Sequence, residues 1–349
     1  MGRLPLLCCC VLAALCGINA AARADSVEEF YKGRQLKLVI GSNSGGAYDA
    51  YGRLLALHLG RHIPGQPMIV VSNMPGASGT QAATYLQQIA PKDGSTLGLL
   101  NQSIAQRQMI DPEMMRFDAG SFNWLGAMAT TANVSITWHA SGVRTLDEAK
   151  GKDVVMGALS SDGGNAVYPL LLNRFLGTRF KLVLGYQGGN TIQFAMERGE
   201  VDGRASVVWS GLKAGWPHWI AEKKINVLVQ IGLRKEPDLP DVPLMLDLAR
   251  TPTELAIFRF VSSDSAMGFP VMAPPAVPAE RVMALGRAMQ TAMADPAFRT
   301  DAERRGLPVD PTTGKDVQTI VDALVATPKD VMTTLKQTIE DARSGARAR

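Results

Sequence analysis

The feature that most constrains this chain is an alternation of short β-forming runs, glycine-rich turns and stretches with helical spacing. The run 36–40 leads through Gly41 to Gly46 into a helical stretch that ends near His62. A strand over 68–71, a helix over 79–89 and a strand over 96–100 follow. The same order restarts with strands at 134–138 and 154–157 and a helix over 166–176. It continues with a strand at 181–184, a helix over 191–198 and strands at 205–208 and 225–229. Strands separated by helical stretches of roughly 10–15 residues form βαβ units and favour parallel pairing. The fold class is therefore α/β, and two such runs predict two lobes, each a mostly parallel sheet flanked by helices. The expected division is 25–133 with 236–349 for the first lobe and 134–235 for the second. Beyond Ala279 the spacing is helical, over 281–294, 296–305 and 317–326. Pro328 opens a last helix to about Ala342, since proline suits a first helical position. The tail from Ser344 should fray.

The first 24 residues read as a signal peptide. Arg3 precedes an uncharged stretch from Leu4 to Ala22, and Ala22-Arg23-Ala24 offers a small-residue cleavage site. All four cysteines, Cys8, Cys9, Cys10 and Cys16, lie inside this stretch. The mature chain would then hold no disulfide, no thiol nucleophile and no cysteine metal site. Export to a bacterial periplasm is the expectation. The formal charge of the 349 residues is +4, from 36 Lys and Arg against 32 Asp and Glu. That balance excludes a nucleic-acid binder driven by phosphate neutralisation.

The glycines carry the chemistry. The turn Ser42-Asn43-Ser44-Gly45-Gly46-Ala47 leads into a helix with Asp49 in its first turn. Glycine lets backbone approach a ligand without a Cβ in the way, and a helix start offers unpaired N–H groups and partial positive charge. Such a corner holds an anion without a basic side chain. The second run repeats it at Ser160-Ser161-Asp162-Gly163 with Asn165, and again at Tyr186-Gln187-Gly188. Ser78 and Gly79 form a further turn, and Asn101 follows the third strand. In open α/β sheets ligands bind at the carboxyl ends of strands, so these turns sketch one cleft. Trp209 ends a strand where it could wall a planar ligand, and core packing would account for it equally.

Enzyme signatures are incomplete. There is no G-x-G-x-x-G after a strand and no phosphate-loop lysine motif. His58 and His62 are four apart, but Leu59 stands where a metalloprotease needs glutamate. Ser210-Gly211-Leu212-Lys213 fits S-x-x-K but lacks the companion K-T-G. No catalytic residue, metal site or cofactor is expected.

Several of these turns resemble motifs of the periplasmic solute-binding proteins of tripartite tricarboxylate transporters, the Bug family. The segment Asn73-Met74-Pro75-Gly76-Ala77-Ser78-Gly79 matches the family's N-x-P-G-A-x-G, and Ser44 to Asp49 resembles its P-G-G-x-x-D. Gly199-Glu200-Val201-Asp202 keeps G-x-V-D, and Pro240-Asp241-Val242-Pro243 keeps P-D-V-P. Three positions depart from the pattern: Ser44 replaces a proline, Gln187 a lysine and Tyr168 a histidine. The resemblance implies a type II-like clamshell, a periplasmic-binding-protein fold closing on a small organic carboxylate. It also implies handover to the membrane subunits of a permease, by a monomer that is not an enzyme. An adaptor presenting the same ligand to a sensor kinase is the first alternative, and a periplasmic enzyme the second.

Overall fold

The computed structural model describes residues 26–130, 132–161 and 163–347. The proposed signal peptide with its cysteines, and Asp162, lie outside the described residues. Among the described residues eleven strands form two sheets. The first contains β1 (Gln35–Ile40), β2 (Met68–Asn73), β3 (Thr96–Leu99) and β4 (Asn123–Ala129). The second contains β5 (Asn133–Trp138), β6 (Val154–Gly157), β7 (Phe180–Val183), β8 (Gly203–Val208) and β9 (Ile225–Ile231). The chain then returns to the first sheet with β10 (Gly268–Ala273) and β11 (Thr312–Thr313).

Strand order is β11-β4-β10-β3-β1-β2 in the first sheet and β7-β6-β8-β5-β9 in the second. Parallel pairs occur where the βα pattern was read: β1 with β2 and β3, and β6 with β7 and β8. Both sheets are nevertheless mixed, where the pattern predicts mostly parallel ones. β10 runs antiparallel to β3 and β4, and β5 runs antiparallel to β8 and β9. A parallel neighbour requires a crossover connection, usually a helix. β4 ends at Ala129 in the first sheet and β5 begins at Asn133 in the second, too few residues apart for a crossover helix. Those strands carry no helix pattern for the sequence to reveal.

Local packing follows the side-chain periods. The Ala47–Leu59 helix buries Tyr51, Leu54, Leu55, His58 and Leu59, one face at helical spacing. Every residue of β3 is buried, as a central strand covered on both faces requires. The last helix runs over Lys329–Arg347, past the predicted end near Ala342. It packs against the Gly164–Leu176 and Pro252–Ser262 helices and against the Ile104–Ile110 helix. Leu335 and Ile339 thereby join Ile104 and Leu171 in one apolar cluster that reaches elements of both sheets. Among the described residues no helix is long and apolar enough to cross a membrane.

Candidate ligand-binding site

The turn after β1 is built by a small network. Asp49 accepts from Gly45 N–H at 2.9 Å and from Arg53 Nε at 2.9 Å, while its other oxygen accepts from Asn73 Nδ2 at 2.9 Å. Asn73 Nδ2 also donates to Ser42 O at 3.0 Å, tying the end of β2 to the turn. Burial opposes ionisation of Asp49, but Arg53, Gly45 and Asn73 together hold its carboxyl below the ordinary carboxylate value. Asp49 thus shapes the loop, with both oxygens engaged, and does not line the cavity below.

Gly46, Gly163 and Gly188 cap the helices Ala47–Leu59, Gly164–Leu176 and Gly189–Glu197. The turns before these helices meet across the two sheets. Ser78 Oγ lies 2.9 Å from Ser160 Oγ, and Asn190 Nδ2 donates to Ser44 O at 3.4 Å. Ser78 has φ 53 and ψ 34, a left-handed conformation rare outside glycine. Buried Arg107 holds it there, Nη1 donating to Ala77 O at 2.6 Å and Ser78 O at 3.0 Å.

Between the turns lies a cavity of about 250 Å³. From the first sheet's turns it is lined by Ser42, Asn43, Gly45, Gly46 and Ala47, and by Ser78, Gly79 and Asn101. From the second sheet's turns come Asn165, Gln187 and Gly188. Several sequence-predicted residues lie elsewhere. Ser44 meets Asn190 through its carbonyl, while Ser160 and Gly163 abut Ser78 at the seam. Ser161 is half-buried and outside the lining, and Tyr186 packs in the second lobe's apolar cluster. Trp209 is buried and donates its Nε1–H to Asp238 at 3.0 Å. Trp216 packs against the same apolar cluster and also lines the cavity.

The sequence reading missed two buried charged residues in the lining. Arg204, on β8, and Asp264, just before β10, are both buried there. Burial lowers the Arg204 pKa to about 10 and raises that of Asp264 to about 7. Asp264 Oδ2 accepts from Tyr168 Oη at 3.5 Å. Tyr48 Oη accepts from Gln102 N–H at 3.0 Å on the same wall. Neither charged residue carries a local motif; both arrive in the cavity by long-range topology.

The histidines have structural partners. His58 Nε2 lies 3.2 Å from Asp301 and His62 Nε2 lies 3.0 Å from Asp295, joining their helix to the Pro296–Arg304 segment. Lys213 of the S-x-x-K match pairs with Asp238 at 2.6 Å. Among the described residues no cluster of His, Cys, Asp and Glu could hold a metal ion.

Comparison with known proteins places this geometry in context. Residues 52–336 match the profile of the tripartite tricarboxylate transporter family receptor. A Cupriavidus necator protein, described as the UPF0065 protein in the gbd 5′ region, is 25% identical over 241 residues. That match covers 67% of this chain and 69% of the relative. The periplasmic binding protein BugD has a TM-score of 0.69 at 18% identity, covering 88% of this chain and 98% of its own. R. palustris Rpa4515, solved with adipate, has a TM-score of 0.68 at 21% identity, covering 87% and 97%. MatC from Rhodopseudomonas palustris, with bound malate, has a TM-score of 0.65 at 19% identity, covering 88% and 99%. These three structures share the fold of two mixed sheets flanked by helices. With the family profile spanning most of its length, the chain belongs to the tripartite tricarboxylate transporter receptor family.

Proposed function

We propose that this protein is a periplasmic solute-binding protein that captures a small organic carboxylate and delivers it to membrane permease subunits. The observation that carries this reading is one cavity walled by glycine-rich turns of both sheets, with a hydrogen bond across its rim. Helix starts at Gly46 and Gly188 adjoin that cavity, and their free N–H groups favour an anion. The volume suits a small acid, being at the low end of ligand pockets. Adipate and malate in two proteins of like fold belong to the same chemical class.

The lobes of this reading are the two sheets with their helices. The chain leaves the first sheet at the end of β4, enters the second at β5, and returns between β9 and β10. One copy supplies both walls of the cavity, so a monomer suffices for capture. Closure brings ligand contacts from both sheets together, which shifts population toward the closed form without any reaction. The leader pattern before Asp25 supports export, and membership of a transporter receptor family supports permease delivery.

A thermal-shift screen against mono-, di- and tricarboxylates tests the proposal. A ligand at about 100 times its Kd adds ~2.7 kcal/mol, which raises Tm by several degrees in a protein of this size. No shift with any carboxylate would overturn it. Conversion of the bound acid, followed by mass analysis, would establish an enzyme instead.

A further inference from the structure

Arg204 is a buried cation without a counter-ion. It is 8% exposed, lines the cavity and forms no ion pair among the described residues. Its Nε has no hydrogen-bond partner, and Nη2 makes one long contact, donating to Ser206 O at 3.4 Å. Desolvation alone accounts for its lowered pKa, with no nearby carboxylate compensating. The guanidinium lies beneath the start of the Gly189–Glu197 helix, where a Cβ on Gly189 would collide with Nη1. Two positive elements therefore converge on one corner of the cavity. A guanidinium buried and unpaired is unfavourable, and an anionic ligand would offset that penalty.

The remaining lining sets what else that ligand carries. Asp264 is 1% exposed, and its carboxyl is already faced by donors from Tyr168, Gln102 and the Ser265 backbone. Asn43 Oδ1 in the same lining is an acceptor without a partner. Arg305 is a further cation at the cavity, but Asp301 engages it at 3.1 Å. The lining thus offers one uncompensated cation, a buried carboxyl that a second carboxylate would face, and one acceptor, Asn43 Oδ1, open to a donor.

We propose that Arg204 is the ligand's counter-ion, with one carboxylate seated on its guanidinium and on the amino end of the Gly189–Glu197 helix. The rest of the ligand presents hydroxyl or ammonium donors to Asp264 and Asn43 in place of a second carboxylate. This inference rests on the carboxylate-site reading above and narrows it to a monocarboxylate bearing a polar donor. A second carboxylate near Asp264 would meet charge of its own sign.

Titration calorimetry at about pH 8, where Asp264 is mostly ionised, tests the inference with matched probes. γ-Hydroxybutyrate and γ-aminobutyrate are compared with succinate, and ε-hydroxycaproate and ε-aminocaproate with adipate. At least one hydroxyl or amino acid should bind about tenfold or more tightly than its dicarboxylate partner. Arg204→Gln should weaken that binding by roughly a hundredfold, and Arg204→Lys by less, because it keeps the charge but loses the fork. Gly189→Ala retains the arginine but displaces its guanidinium, and should weaken binding too, so a poorly folding Arg204 variant does not block the test. Tighter or equal binding of the dicarboxylates overturns the inference, as does wild-type affinity in both Arg204→Gln and Gly189→Ala. Either result leaves the carboxylate-site reading standing. Absence of binding by any of the acids to the folded wild type also overturns the inference, and the broader carboxylate screen above then decides whether the carboxylate-site reading stands.

Discussion

Ser78 Oγ and Ser160 Oγ, 2.9 Å apart, join a turn that follows β2 of the first sheet to one that follows β6 of the second. Ser78 reaches this position through a left-handed backbone that Arg107 holds. A non-glycine residue in that region costs ~1–3 kcal/mol, so the surrounding structure must enforce it. The hydrogen bond exists only while the turns are together, which makes it part of the closed form's stability.

Ser78→Ala or Ser160→Ala should therefore weaken carboxylate binding about two- to tenfold, the worth of one net hydrogen bond of ~0.5–1.5 kcal/mol. Calorimetry on both single variants and the double variant checks this. Coupling near zero in the double-mutant cycle would mean that the two hydroxyls act independently.

Steric substitutions should separate the cavity from the seam. A Cβ on Gly46 meets only Asn43 O, at 4.0 Å, so Gly46→Leu places its side chain in open space beside the cavity lining. It should abolish the carboxylate-induced rise in Tm while leaving the ligand-free Tm nearly unchanged. A Cβ on Gly211 would lie 2.5 Å from Ala47 Cβ, on an element of the other sheet. Gly211→Val should hold the lobes apart and weaken binding, with a larger radius of gyration in ligand-saturated small-angle scattering.

Asp264 predicts a pH dependence of stability. Its folded pKa, raised by burial to about 7, exceeds the ordinary 3.8, so the folded state binds the proton more tightly. The stability it contributes is fully present below about pH 3.8 and is lost as pH rises through about 7. The loss is on the order of a few kcal/mol. Asp264→Asn should remove this component and raise the ligand-free Tm at about pH 8. Melting curves across that range, compared between wild type and variant, decide it; parallel profiles would refute the assignment.

Asp49 should matter without touching the ligand. Its carboxylate anchors Gly45 N–H, Arg53 and Asn73 around the first turn. Asp49→Ala should cost ~1–3 kcal/mol in denaturant unfolding, because it leaves these partners unsatisfied. Ligand affinity should fall as well, since the turn that carries Ser42 to Gly46 loosens. A stable variant with wild-type affinity would remove Asp49 from this role.

The sequence by itself determined the βα grammar, the glycine caps at Gly46, Gly163 and Gly188, and the turns that meet at the cleft. Strand alternation, helical spacing and glycine turns are set by residues within a few positions of each other, so they are readable along the chain. Tertiary structure alone decided that β5 and β10 enter their sheets antiparallel: too few residues separate β4 from β5 for a crossover helix, and the Pro252–Ser262 helix before β10 carries no mark of the strand's direction. It alone brought Arg204 and Asp264 into one cavity and turned Trp209 toward Asp238. Residues 60 positions apart acquire a common environment only when two sheets close on each other, and no local period encodes that meeting.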